Sequence, residues 1–356
     1  NYPLKTKVFI SNKFLDNIEI DENFILVVPK NINKLILNQI KKKFKKQISK
    51  IVFKPSGEPN SNMINHFLNQ DFNAKSILVI GGGSAIDFAK AISIISPKKK
   101  IQFHEFGSKI KNSIPIDCIP TTCGSGSDVS PYSVINNSKT KRKFTINDKK
   151  LVPRNTFIFP NLLKKISKKT IFSSLYDAFS HCLEVFLNKN QKPQIKRLAF
   201  NGIKMGIRLL NNRIDSKYYK DYMILALIGG MCISESRTSI IHTLSVGVSK
   251  YYNLPHGLLN LYLTNLGINF NSPYVQKDII RIETIINNKS FMIWLKQLEQ
   301  KNRKFYNIDK KNIDLIDVIN RIKQDKGLKK VCYQKINNKN LSYLIKKLDE
   351  KNKNFF

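Results

Sequence analysis

Short apolar runs alternate with longer amphipathic stretches over the first 160 residues. "FILVVP" (24–29), "KIVF" (50–53), "SILVIG" (76–81), "IDCIPTT" (116–122) and "TFIFP" (156–160) are rich in Ile and Val. That composition suits strands buried on both faces of a parallel sheet. Between them, 32–47, 60–70 and 84–96 repeat apolar residues at helical spacing. The alternation predicts a mostly parallel α/β sheet. After Pro160 the strand-like runs stop. Helical periodicity takes over at about 171–189, 194–212, 219–234, 236–251 and 256–270, with more polar helices expected in 275–349. This change of character divides the chain into an α/β domain at 1–161 and an all-helical domain at 162–356. The Lys- and Asn-rich tail from about 297 is less informative, and its last few residues are expected to be mobile.

Length agrees with two domains, since 356 residues exceed the usual single-domain range of roughly 100–200. The net charge of +36 invites a nucleic-acid reading. The lysines, however, are spread through "KKKFKKQISK", "SPKKK", "KTKRK" and "LKKISKKT" rather than gathered in one arm. With so much Asn and Ile, this reads as codon bias over a solvated surface, and no specific nucleic-acid partner is expected. The apolar runs fall far short of the ~20 residues of a membrane span, and no secretory pattern opens the sequence. Five scattered cysteines without a CxxC pair argue against a disulfide framework or a zinc ribbon and for a reducing compartment. A cytoplasmic protein with no membrane partner is expected.

Two loops carry candidate ligand chemistry in the first domain. "SILVIGGGSAIDFAKAISII" passes from a strand through Gly81, Gly82 and Gly83 into a helix, with Ser84 read as N-cap and Asp87 in the first turn. Glycines let a ligand approach the backbone, and a helix N-terminus favours phosphate. The spacing is not the GxGxxG of the common dinucleotide fold, and a plain strand-to-helix turn has the same look. The second loop, "IPTTCGSGSDVSPYSVI" (119–135), places Thr121, Thr122, Ser125 and Ser127 among glycines after another strand. Two such loops at strand ends suggest a crevice for a nucleotide with its phosphates.

In the second domain, "SSLYDAFSHCLEVF" sets Asp177 and His181 four residues apart, on one face of an apolar helix. They could satisfy each other by a hydrogen bond, since a buried carboxylate needs a partner. "IIHTLSVGVSKYYNLPHG" adds His242 and His256, the latter in a turn that leads into a helix. One carboxylate and three imidazoles suit a divalent metal such as Fe(II) or Zn(II). His66 and His104 are read as surface residues.

Taken in order, these stretches resemble the iron-containing (group III) alcohol dehydrogenases, relatives of the dehydroquinate synthase fold, over roughly residues 24–270. The family's GGGS-x-x-D-x-A-K turn corresponds to "GGGSAIDFAK" and its IPTT-x-G-[TS]-GSE loop to "IPTTCGSGSDV". Its DA-x-x-H-x-x-E helix corresponds to "DAFSHCLEVF", and its H-x13-H spacing ending in PHG to "HTLSVGVSKYYNLPHG". The resemblance implies Asp177, His181, His242 and His256 as metal ligands. It implies Gly81–Ser84, Asp87, Thr121, Thr122 and neighbours around NAD(P), with Lys143 near the cofactor. The activity implied is NAD(P)H-linked interconversion of an aldehyde and a primary alcohol, and the assembly implied is a homodimer. Three departures stand out. Val246 replaces a histidine to which the family often assigns proton relay. Pro29-Lys30 replaces a Thr-Asp pair associated with NAD, and a cation there favours the 2′-phosphate of NADP. The region after 270 matches the family poorly. "SESRTSIIH" resembles the phosphonoacetaldehyde reductase branch, in which Arg237 would grip an anionic substrate group; an ordinary salt bridge is the alternative. A dehydroquinate synthase-like lyase or cyclase, or a dehydrogenase acting on a sugar, is the alternative activity. The synthases resemble a Glu-His-His set, so four ligands led by Asp favour the dehydrogenase.

Overall fold

A computed structural model describes residues 5–16, 18–21, 23–68, 73–95, 110–140, 143–306 and 313–355. The strands are β1 (Lys7–Ile10), β2 (Phe24–Pro29), β3 (Ile48–Lys54), β4 (Ser76–Gly81), β5 (Ile94–Ile95), β6 (Asn112–Ser113), β7 (Ile116–Pro120), β8 (Tyr132–Asn136), β9 (Lys143–Asn147) and β10 (Asn155–Ile158). Six of them form one parallel sheet in the order β1-β10-β7-β4-β2-β3. Its helices are α1 (Lys34–Lys43), α2 (Ser61–Leu68) and α3 (Gly83–Ile92). Both faces of the sheet are covered, which explains the unbroken apolar runs. Ile25, Val27, Ile77, Val79 and Cys118 pack on one side with α2 and α3 residues such as Phe67 and Phe88. Phe24, Leu26, Val28, Leu78, Ile80 and Ile119 pack on the other with Leu37 and Ile40 of α1. The alternation is the period-2 geometry of a strand. Because the strands are parallel, the loops after β2, β4 and β7 emerge at one carboxyl edge of the sheet.

Three features differ from the reading of the sequence. The edge strand β1 was not anticipated, since Phe9 and Ile10 are exposed and its four residues lack a buried pattern. The antiparallel hairpin β8–β9 was not anticipated either. Helix α3 ends at Ile92, and the chain turns into β5, which pairs with β6. His66 is exposed; His104 lies outside the described residues.

The chain divides into compact units at 1–166 and 167–356. The break falls past residue 161 because the turn Pro160–Lys165 belongs to the first unit: Leu162 packs in the core that holds Phe157 and Phe159. Among the described residues the regular elements of the second unit are helices: α4 (Lys168–Leu187), α5 (Pro193–Asn211), α6 (Tyr219–Glu235), α7 (Ile240–Val248), α8 (His256–Asn271), α9 (Gln276–Glu283), α10 (Phe291–Lys301), α11 (Leu315–Gln324), α12 (Leu328–Val331) and α13 (Asn338–Phe355). α4 is its axis, packed by α5, α6 and α8 and buried almost all round. The expected helix over 236–251 is shorter at its start, because 236–239 is not helical. Near the end of the tail, Asn352 is docked on the rest of the unit. Its amide oxygen accepts from the hydroxyls of Tyr252 and Tyr262, both at 2.8 Å. No single helix among the described residues is long and apolar enough to cross a membrane.

Candidate metal centre and nucleotide-binding loops

Helix α4 is buried on nearly every side, so its polar residues must find partners inside the protein. Asp177 and His181 lie on one face, and Glu184 continues that face one turn further. The second histidine arrives on the first turn of α7 and the third at the first residue of α8. Gly257 is what allows α8 to begin so close. A Cβ there would lie 1.8 Å from the carbonyl oxygen of Ser173 on α4.

The result is convergence on one atom. Asp177 Oδ1 lies 3.4 Å from His242 Nε2, 3.7 Å from His256 Nε2 and 3.9 Å from His181 Nε2. Ligands held at about 2.0–2.2 Å from one ion cannot be more than about 4.4 Å apart, so all three distances fit a shared metal. Asp177, His181 and His242 form a buried group whose donor atoms lie within 4.8 Å of one another. His256 joins through Asp177 and is the most exposed of the four. The rings of His181 and His242 stack at 4.7 Å.

A second ring of contacts turns the imidazoles. Glu184 Oε2 lies 2.5 Å from His242 Nδ1, and Glu184 Oε1 accepts the backbone N–H of Ile241 at 2.6 Å. Ser245 Oγ lies 3.3 Å from His256 Nδ1. Bonds of this kind at Nδ1 leave Nε2 available to a metal ion. Glu184 also substitutes for a local helix cap. Ser239, at the N-cap of α7, makes no capping bond, and its hydroxyl is buried with no hydrogen-bond partner among the described residues. Asn260, one turn into α8, donates to Asp177 Oδ1 at 2.9 Å. The reading of the sequence named four candidate ligands but passed over Glu184, Ser245 and Asn260. The available signals were helical spacings: Glu184 three residues after His181, and Asn260 four after His256.

Charge is arranged in the same spirit. Burial opposes ionisation of Asp177, but His181, His256 and His242 hold it well below the usual carboxylate range. Burial pushes His181 down to about 3, against the pull of Asp177 and with help from the neighbouring imidazoles. Burial works against a charged His242 too, yet Glu184 and Asp177 outweigh it and raise it to about 9.

Two other residues named from the sequence stand apart from this cluster. Arg237 spends its guanidinium on Asp325 Oδ2 at 2.6 Å and on the Thr238 carbonyl at 3.2 Å. Val246 lies half-buried one turn beyond His242 and offers no proton.

In the first unit the two small-residue loops touch. Gly81 pairs with Pro120 across β4 and β7, and Thr121 N–H donates to Gly81 at 3.0 Å. A Cβ on Gly82 would lie 3.1 Å from Thr122, and one on Gly83 would lie 2.5 Å from Ser125 Oγ. The Ser127 N–H meets Ser125 Oγ at 3.3 Å. Ser84 is not the N-cap. Gly82 holds that position without a side-chain bond, and Ser84 donates instead to the Gly57 carbonyl at 2.8 Å. Asp87 is the fifth residue of α3, not in its first turn. It is buried, and it accepts the Val134 N–H at 3.1 Å. Lys143 pairs with Glu58 at 2.6 Å. Lys30 is exposed at the end of β2. Lys90, wholly buried, donates to the carbonyls of Ser130 and Tyr132 at 2.6 and 2.8 Å and so ties the second loop to α3. An uncapped helix start beside a bare glycine cradle fits a phosphate-bearing ligand.

The fold and site together define a two-unit protein: a parallel α/β unit with glycine- and hydroxyl-lined loops, and a helical unit with a buried carboxylate–imidazole centre. Residues 11–160 match the profile for the iron-containing alcohol dehydrogenase, and residues 170–340 match that for the C-terminal part of the Fe-containing alcohol dehydrogenase family. The chain belongs to the iron-containing alcohol dehydrogenase family. It is 27% identical over 221 residues to 4-hydroxybutyrate dehydrogenase of Clostridium kluyveri, 59% of either chain. It is 25% identical over 222 residues to lactaldehyde reductase of Escherichia coli, 60% of this chain and 58% of that one. The chain thus matches less than two thirds of the length of these curated relatives. Its fold matches a crystal structure of an iron-containing alcohol dehydrogenase from Thermotoga maritima, with a TM-score of 0.85, 22% identity and 98% of both chains covered.

Proposed function

We propose that this protein is a metal-dependent, NAD(P)H-linked oxidoreductase that interconverts an aldehyde and a primary alcohol. The observation that carries the proposal is the convergence of Asp177 Oδ1 with the Nε2 atoms of His181, His242 and His256. Relatives named for 4-hydroxybutyrate and lactaldehyde act on small oxygenated carbon compounds, which supports the class. When bound, a divalent ion supplies Lewis acidity for a carbonyl oxygen, and the nicotinamide supplies hydride. The chain's part is placement. Glu184 and Ser245 turn two imidazoles toward the site, and burial excludes water from Asp177 and His181.

The metal we propose is Fe(II), with Zn(II) as the substitute the same donors would accept. The cofactor is held by Gly81, Gly82, Gly83, Ser84, Asp87, Thr121, Thr122, Ser125, Ser127 and Lys143, with NADP favoured through Lys30. A homodimer in the cytoplasm is the proposed setting. A small anionic aldehyde such as phosphonoacetaldehyde is the finer substrate proposal, and it requires Arg237 to serve the substrate while paired with Asp325.

The test is anaerobic. Protein loaded with Fe(II), and separately with Zn(II), is mixed with NADPH or NADH and either phosphonoacetaldehyde or a neutral aldehyde of similar size. Preference for the anionic aldehyde, abolished in Arg237→Ala, supports the anion clamp; equal rates discard it. Replacing His256 with Ala should abolish metal retention, and full activity of that variant without bound metal would sink the metal assignment.

A further inference from the structure

We propose that Asn260 is a positioning residue of the metal centre, whose carboxamide holds Asp177 and His242 ready for the ion. The inference rests on the metal reading above. Asn260 is completely buried on α8. Its Nδ2 lies 2.9 Å from Asp177 Oδ1, 3.0 Å from His242 Nε2 and 3.4 Å from Ser180 Oγ. Its Oδ1 is buried with no hydrogen-bond partner among the described residues. One end of the amide therefore has polar neighbours, and the other has no hydrogen-bond partner among the described residues.

That asymmetry fixes the amide's orientation. Turned by half a revolution, the side chain would set its oxygen 2.9 Å from a carboxylate oxygen, acceptor against acceptor. The two atoms its N–H group faces are donors of the proposed centre. They lie 3.4 Å apart; the amide donates to Asp177 Oδ1 and packs 3.0 Å from His242 Nε2, so it holds the carboxylate oxygen on which the imidazoles converge. A carboxylate oxygen has a second lone pair, so the bond to Asp177 persists when the first pair serves a metal. The helix turn that carries Asn260 is tied from behind: Thr264 Oγ1 donates to the Asn260 backbone carbonyl at 2.7 Å, and Tyr176 bonds Thr264 at 2.8 Å. A neutral amide keeps the donors together without the charge that an acid would add beside Asp177.

The experiment compares wild type, Asn260→Ala, Asn260→Asp and His242→Ala, using Co(II) as probe. Dissociation constants are measured by chelator competition, the Co(II) ligand-field spectrum is recorded, and the metal-free proteins are melted. Wild type should bind Co(II) and His242→Ala should not; failure of that contrast overturns the metal reading itself, whatever Asn260 does. Given that contrast, Asn260→Ala should bind about 10–100-fold more weakly, with a shifted spectrum. Asn260→Asp should do the reverse. Its second carboxylate lowers the melting temperature of the metal-free protein, and it binds Co(II) more tightly than wild type. Metal affinity unchanged in Asn260→Ala would overturn the proposal. So would equal weakening in both variants with an unshifted spectrum, which marks a residue that only fills space.

Discussion

Replacing Glu184 with Gln separates the two tasks this residue performs. Oε1 accepts the Ile241 N–H at 2.6 Å and, more weakly, the His242 N–H at 3.4 Å, which caps α7 from a different helix. Oε2 meets His242 Nδ1 at 2.5 Å. Glutamine keeps the shape and the capping acceptor. It presents an NH2 group to Nδ1, and a ring nitrogen facing a donor must become an acceptor. The imidazole then gives up its Nδ1 proton and keeps one on Nε2 alone, the atom that faces Asp177. Exchanging one charge-assisted bond for a neutral one costs about 1–2 kcal/mol. At roughly 2–4 °C per kcal/mol for a unit of this size, the melting temperature should drop by only a few degrees. Metal affinity should fall by about 10–100-fold, the usual effect of removing an outer-shell partner. Glu184→Ala would instead strip the cap and leave buried donors unpaired, costing about 3–5 kcal/mol. The assay is thermal melting with and without Zn(II), beside chelator competition. Wild-type metal affinity in a folded Glu184→Gln protein would refute the reasoning, since Glu184 would then be a helix cap and nothing more.

Gly257→Ala forces a methyl group toward the backbone of Ser173, which cannot rotate away; the overpacking should cost about 1–3 kcal/mol or more and weaken metal binding, read by urea unfolding and chelator competition. Lys90→Met removes the cation near Asp87 and Asp128, both pushed up to about 6 chiefly by burial. The variant should lose about 3 kcal/mol or more at pH 7. The loss should shrink below pH 5, because carboxyls with raised folded-state values stabilise the protein when protonated, a trend followed by denaturant midpoints against pH. His242 is raised to about 9, so it is charged in the metal-free protein at pH 7. Metal uptake should therefore release a proton, and affinity should rise with pH up to about 9, checked by calorimetry in buffers of different ionisation enthalpy. The same sign means that the metal-free protein gains stability from His242 below its ordinary value near 6.5 and loses it as pH climbs through 9.

The four proposed ligands were legible because they are the wrong residues for their surroundings. A carboxylate and an imidazole four apart on an apolar helix demand an explanation from the sequence alone. The parallel sheet was legible for a related reason: strands covered on both faces leave unbroken Ile and Val runs, and β2, β4 and β7 are of that kind. What escaped the sequence is held by partners distant along the chain. α7 starts at Ile240 because a carboxylate from α4 caps it, and no local residue announces that. Ser84 has the chemistry of an N-cap, but its hydroxyl is drawn to Gly57, 27 residues away. Arg237 looks available until Asp325, 88 residues on, is seen to hold it. β1 is half exposed at a sheet edge, where burial leaves no pattern to read. Glu184, Ser245 and Asn260 were passed over because Glu, Ser and Asn are common on helices and need no metal to account for them. Composition singles out the donors; only three-dimensional contact singles out the residues that aim them.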